Sequence, residues 1–289
     1  GEWSKLKAEW GGFAALYLED LLQLGPVESD TTFSALLRFA QHPDIAATFD
    51  AIDTTSAPAT GQAALQIQSS FKRFHSHFPL EPVPDLVWIN SAFNFAVYPT
   101  PEFLVVGLDW FLGADHPIVK RLAPSVFPAY MRSRMETQYL SADALRGWLL
   151  VHFAQNHHHS ETCAEELLFW GKVLFVLDCI APELDDRLWM DWSEAEMTWA
   201  LEHERTIWLE LQPQSMLFEK DFGRYNRWFV EGPFTRAANI PQDSPDRLGA
   251  WMGYRMVADF MDDHPEMPLG ELMEWNDPVP IIKAYRPDR

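Results

Sequence analysis

The sequence predicts an α+β fold, predominantly helical with one small sheet, and two observations carry that prediction. Apolar residues recur at the helical period through most of the 289 residues, whereas apolar runs of strand length are confined to 86–108, between proline and asparagine signals. A hydrophobic content of 47% with 14% aromatic residues is enough to bury a sizeable core. A single domain over 1–289 is therefore expected, with a helical part at 1–80, the sheet within 81–113 and a second helical part at 114–289.

Leu6, Trp10, Phe13, Leu16, Tyr17 and Leu21 fall at helical spacing, and Thr31 or Thr32 is placed to cap a helix carrying Phe33, Leu36, Leu37 and Ala40. A third helix is expected from about Gln62 to Phe74. Leu86 to Ile89 reads as a buried strand and Phe103 to Leu108 as its partner, with Tyr98-Pro99-Thr100-Pro101 as the turn and Phe95 to Tyr98 as a third strand. The segment Ala164–Asp178 is apolar nearly all round and belongs in a core. From Ser193 to Leu211 the period puts Met197, Leu201, Trp208 and Leu211 on one face, with Glu204 among them. Ser244-Pro245 reads as the start of a last long helix that buries Leu248, Trp251, Met252, Met256 and Phe260. Gly249 and Gly253 lie one turn apart on it and imply a close backbone approach, because glycine inside a helix costs about 1 kcal/mol against alanine.

A formal charge of −20 disfavours nucleic acid and anionic lipid surfaces as partners. No apolar run approaches the roughly 20 residues that span a bilayer, and Gly1 to Lys7 lacks a signal-peptide core, so the chain as given reads as soluble. An export signal or lipid-bearing cysteine upstream of Gly1 stays open. Cys163 and Cys179 on one helix stand roughly 24 Å apart, too far for a disulfide, and read as buried free thiols.

His152, His157, His158, His159 and Cys163 form the densest cluster of potential ligands. A zincin helix requires His-Glu-x-x-His, and His152 to His157 turns the second imidazole away by roughly 140° with no glutamate after His152. No metal and no cofactor are expected. The 13 tryptophans invite a sugar-stacking platform, but Trp88, Trp199, Trp208 and Trp251 fall on core faces. There is no phosphate-cradling glycine loop, nucleophile elbow or Cys-x-x-Cys, and Asp185-Asp186 and Asp262-Asp263 read as solvated acids.

From Phe103 onward five ordered segments resemble the gliding-motility lipoprotein GldB family: Val106-Gly-Leu-Asp-Trp-Phe-Leu-Gly113, Trp170-Gly-Lys-Val-Leu-Phe-Val-Leu-Asp-Cys-Ile-Ala-Pro182, His203-Glu-Arg-Thr-Ile-Trp208, Phe229-Val-Glu-Gly-Pro-Phe-Thr235 and Ser244-Pro-Asp-Arg-Leu-Gly-Ala-Trp-Met-Gly-Tyr-Arg-Met-Val257. The first hundred residues match only in helical character. The resemblance implies an exported, lipid-anchored protein of the cell envelope, facing the periplasm, whose partners are other components of the gliding and type 9 secretion machinery. It also implies a distant similarity to predicted zinc peptidases, with a zincin-like architecture lacking the metal motif. Those peptidases carry a glutamate before a glycine where Trp170 stands here before Gly171.

The leading expectation is a non-catalytic scaffold that holds a partner's extended peptide in a cleft between an edge strand and the buried helices, with Val106, Gly107, Asp109, Trp110, His152 and Trp170 as candidate contacts. Lys172 and Glu204 are expected to pair across the core. The runner-up is a metal-dependent hydrolase drawing ligands from His152, His157, His159 and Asp109 or Glu166. A third reading, a sugar-binding lipoprotein, requires at least two tryptophans exposed together.

Overall fold

The computed structural model describes residues 2–157, 161–237 and 239–287, and 62% of it is helical. The longer helices are α1 (Glu2–Trp10), α2 (Asp30–Ala40), α3 (Pro43–Ala51), α4 (Ala57–His77), α5 (Leu140–His152), α6 (Cys163–Ile180), α7 (Glu194–Leu211), α8 (Leu248–Asp262), α9 (Leu269–Glu274) and α10 (Pro278–Ala284), joined by shorter helical turns. The strands are β1 (Asp85–Ile89), β2 (Val97–Pro99) and β3 (Phe103–Gly107), in the spatial order β1-β3-β2.

β1 runs parallel to β3, with Asp85 opposite Phe103, and β2 runs antiparallel to it, with Val97 opposite Val106. β3 is therefore the central strand. The expected edge strand around Val106 is a misplacement: its main-chain groups are taken on both sides, and the free edges belong to β1 and β2. Pro99, which has no N–H to donate, accordingly sits on an edge. The hairpin between β2 and β3 is tied by Thr100, whose N–H donates to Phe103 O at 2.7 Å while its Oγ1 accepts from Phe103 N at 2.9 Å.

The sheet has a layer on each face. Ile89 and Val105 pack with Trp3, Tyr17, Leu18 and Leu21 of the N-terminal helices, while Leu104 and Val106 join the main helical core. The period-2 alternation of side chains separates these two sets. α2 is capped by Ser29, not by Thr31 or Thr32, and Thr32 instead donates to Pro26 O.

α6 begins with a capping box between Thr162 and Glu165 and is buried almost all round. It crosses α8 at glycine against glycine: a Cβ on Gly171 would lie 2.2 Å from Gly253 O, and one on Gly253 would lie 2.1 Å from Leu167 O. Only hydrogens fit there. Cys163 and Cys179 are both free on this helix.

Three further expectations are corrected. Leu201 is 53% exposed, because the buried face of α7 runs through Met197, Ala200, Glu204, Ile207 and Leu211, about one residue round from the face expected. Ser244-Pro245 does not start the last long helix; α8 begins at Leu248, after Arg247 turns through φ 52°. Lys172 and Glu204 do not meet. Lys172 Nζ donates to Met273 O (2.9 Å) and Trp275 O (2.8 Å) at the end of α9, and Glu204 accepts from Arg255 Nε (3.0 Å) and Tyr285 Oη (2.8 Å). The carbonyls that α9 leaves open supply the acceptors that a carboxylate was expected to provide.

Candidate functional site

A cavity of about 500 Å³ opens where β2, α5 and α6 meet the segments around Trp110, Met131, Asp191 and Phe229. Its walls are largely apolar: Phe95, Val97, Trp110, Phe111, Leu150 and Trp170 all contribute. Gly147 lets β2 approach α5, since a Cβ there would lie 3.1 Å from Val97 Cγ1.

The polar part of the wall is a chain of alternating charges. Arg146, one turn after Asp143 on α5, places its fork on Asp191, with Nη1 donating to Oδ1 at 3.0 Å and Nη2 to Oδ2 at 2.9 Å. Arg146 Nη2 also donates to Asp143 Oδ1 at 2.9 Å. Arg247 Nη2 donates to Asp191 Oδ2 at 3.0 Å, and Arg247 Nε to Asp246 Oδ1 at 3.3 Å. Asp246 accepts further from Arg134 Nη1 (2.8 Å), Trp192 Nε1 (3.2 Å) and Gly232 N (2.9 Å). Arg146 and Arg247 each reach a backbone carbonyl as well, of Trp189 and Met190.

Buried ions are tolerated when every group is partnered, and this chain nearly satisfies that condition. Burial alone would raise the Asp191 carboxyl, but Arg146 and Arg247 outweigh it and hold Asp191 well below the carboxylate range. Burial and the Asp191 charge push the neighbouring Asp143 well above that range, against the pull of Arg146. Burial and charge thus shift the two adjacent carboxyls in opposite directions. Among the described residues, Asp191 and Arg247 are also two of the five non-glycine residues with positive φ, at 55° and 52°. Such backbone is sparsely populated and persists where surrounding contacts enforce it, often at functional sites.

The sequence-derived candidates divide around this cavity. Trp110 and Trp170 line it. Asp109 is fully buried beneath it, accepting from Ser91 N (2.7 Å), Ser91 Oγ (2.9 Å) and Phe93 N, and so folds the strained turn at Ala92 and Phe93 that presents Asn94, Phe95 and Ala96 to the cavity. Burial raises the Asp109 carboxyl, and these hydrogen bonds oppose the rise. Gly107 is required by the same turn, as a Cβ there would lie 2.5 Å from Phe95 O. Val106 is buried in the sheet. His152 is outside the cavity wall; it stands 3.5 Å from Glu81 and packs against Phe74 and Trp148, where burial lowers its pKa.

Glu166 bridges two aromatic groups, accepting from Trp170 Nε1 at 3.1 Å and contacting His157 Nε2 at 2.8 Å. It fixes the Trp170 ring in the wall, and its hydrogen bond raises the His157 pKa. His159 lies outside the described residues. Among the described residues no three His, Cys, Asp or Glu side chains are placed to hold a metal together. All 13 tryptophans are buried or half-buried, and the half-buried Trp110 and Trp170 line the same cavity.

Asp143, Arg146, Asp191 and Arg247 were not singled out from sequence. One signal was present, an Asp-x-x-Arg pair one helical turn apart within an otherwise apolar helix. Nothing local pointed to Asp191 or Arg247 as its partners.

The family of gliding motility protein GldB matches residues 1–287. The chain belongs to that family. No curated protein and no solved structure matches it. The GldB match takes in the first hundred residues, where the resemblance had rested on helical character alone. Among the described residues no helix is long and apolar enough to cross a membrane. Four of the five segments that carry the GldB resemblance place a side chain on the cavity: Trp110, Trp170, Phe229 with Glu231, and Arg247. The fifth, around Glu204, lies in the α7–α8–Tyr285 contact instead.

Proposed function

We propose that this gliding-motility protein is a non-catalytic, lipid-anchored subunit of the cell envelope that captures a segment of another component of the gliding and secretion machinery in the cavity beside Trp110 and Trp170. The observation that carries the reading is the cavity itself, about 500 Å³ in volume, apolar-walled and braced by the Asp143–Arg146–Asp191–Arg247 chain. That size and lining are typical of ligand sites. A rigid charged brace behind an apolar wall holds the site open without rearrangement on binding, which reduces the entropic cost of capture.

A lapsed peptidase groove is part of this reading. α5 and α6 offer the cavity Asp143, Arg146, Gly147 and Trp170, where a zincin helix pair would carry His-Glu-x-x-His and a later glutamate. The arginine forks on Asp191 occupy the carboxylates that a metal or general base would need.

Photo-crosslinking in the native host tests the reading. A photoreactive phenylalanine at Phe95, on the cavity rim, should give a discrete adduct with another envelope protein, and the same probe at Leu65, which is 69% exposed, should not. Identical adduct patterns from the two positions, or none from Phe95 in a folded and normally expressed protein, would contradict it.

A further inference from the structure

Two guanidiniums in the cavity wall keep N–H groups that no protein acceptor takes. Arg247 is 3% exposed through its side chain, and its Nη2 and Nε are engaged, but its Nη1 has no hydrogen-bond acceptor; the nearest acid oxygen, Glu231 Oε1, stands 3.9 Å away. Arg134 spends only Nη1, on Asp246, and lies over the Tyr130 ring, leaving the rest of its fork without a protein acceptor. Trp110 Nε1 is buried without any acceptor. All three residues line the same cavity. Guanidinium N–H groups that no protein acceptor takes, set in a largely apolar wall, are free to take an acceptor from a ligand; of the three residues only Trp110 has a fully buried, unpartnered donor.

We infer that the cavity is a carboxylate-recognition site, and that its ligand is the C-terminal carboxylate of a peptide whose last side chain is apolar. This rests on the capture reading above and names the chemistry of what is captured. Arginine forks are suited to planar carboxylates, and the surrounding Phe111, Leu150 and Phe229 give an apolar side chain its place beside them. Glu231, 54% exposed at the mouth, stands loosely where the ligand's carboxylate belongs and moves to solvent when the ligand enters. The overall charge of −20 opposes an incoming anion, but surface charges farther than about 8 Å are largely screened at physiological salt. Inside the cavity the unscreened donors decide the outcome.

The test uses the purified protein and three probes, each followed through the indole signal of Trp110 by NMR: the tripeptide Ala-Ala-Phe as free acid, the same tripeptide as C-terminal amide, and 3-phenylpropanoate. The free-acid peptide is expected to bind at least about tenfold more tightly than the amide. Arg134→Lys, which keeps a cation beside the buried Asp246 but removes the planar fork, should weaken it by about tenfold, and Glu231→Gln should tighten it. Equal binding of acid and amide, or no carboxylate-dependent change up to about 10 mM ligand, overturns the inference. Binding of 3-phenylpropanoate as tight as the peptide's overturns the peptide assignment and places the ligand among small apolar acids. If the Phe95 adduct forms while the carboxylate arm fails, the inference falls and the capture reading stands; if the adduct fails, the capture reading falls by itself.

Discussion

Asp191 and Arg247 meet across the cavity wall at 3.0 Å, each from a left-handed backbone conformation, φ 55° and 52°. Neither residue is glycine, and the two come from distant parts of the chain. Their geometry is maintained by Arg146 on one side and Asp246 on the other, so the wall acts as a single electrostatic unit. Its members should respond to substitution according to the charge each leaves behind.

Asp191→Asn keeps a side chain that tolerates left-handed backbone but leaves two buried guanidiniums without their anion. A loss of about 3–5 kcal/mol is expected. Asp143→Asn should cost no more than about 1 kcal/mol, because the amide oxygen can still accept from Arg146 and the raised Asp143 carboxyl contributes little as an anion. Denaturant titration of both variants checks the contrast, and equal losses would refute the opposed roles of the two carboxyls.

The same pair gives opposite pH contributions. The folded pKa of Asp191 is depressed, so its stabilisation is present above the ordinary aspartate value of 3.8 and is lost as pH falls through the depressed value. The folded pKa of Asp143 is raised, so its contribution is complete below 3.8 and is lost as pH rises through the raised value. Asp143→Asn should therefore flatten the decline of stability on the alkaline side of that range, which a series of melts at different pH values will show.

Lys172 donates to two carbonyls, and burial lowers its pKa from 10.5 to about 8. Lys172→Met should cost about 1–3 kcal/mol at neutral pH, less than removing a partner from an ion pair, because carbonyls and not a carboxylate are left behind. The unfolded chain binds more protons than the folded one between the two pKa values, so stability gains a contribution from Lys172 as pH rises from about 8 towards 10.5. The methionine variant should lack that gain.

Gly253→Ala puts a Cβ 2.1 Å from a main-chain oxygen of α6, which can move only if the two helices separate. Gly249→Ala meets the Phe229 and Trp228 side chains at 2.8–2.9 Å, which can adjust. The first should cost more than about 3 kcal/mol and the second about 1–3 kcal/mol. Comparable melting temperatures for the two would show that the helix crossing is looser than described.

The elements were legible where one segment carried its own signal. The run Leu86–Ile89, the all-round apolar helix and the helix from Ser193 to Leu211 each follow from neighbours in sequence, and each appears near its expected bounds. The close approach at Gly253 was legible for the same reason, since glycine in a helix interior has few other uses. What depends on distant segments was not legible. The central place of β3 is set by pairing order, and the partners of Lys172 and Glu204 lie 101 and 51 residues or more away. Ser244-Pro245 carries a genuine helix-start signal, but Thr235, which donates to Pro245 O and accepts from Leu248 N, holds the segment extended until Arg247 turns it. Of the site, the two tryptophans could be read and the charged brace could not, because its four members come from three separate segments.

The measurement that bears most directly on the central claim is motility of cells whose only copy of the protein has its cavity filled. Ala96→Trp adds an indole at the cavity wall, and Leu65→Trp adds the same group on an exposed face of α4. With both variants present at normal level and melting as the parent does, capture in the cavity predicts that Ala96→Trp abolishes gliding and Leu65→Trp leaves it intact. Normal gliding by cells carrying the Ala96→Trp protein would contradict the account.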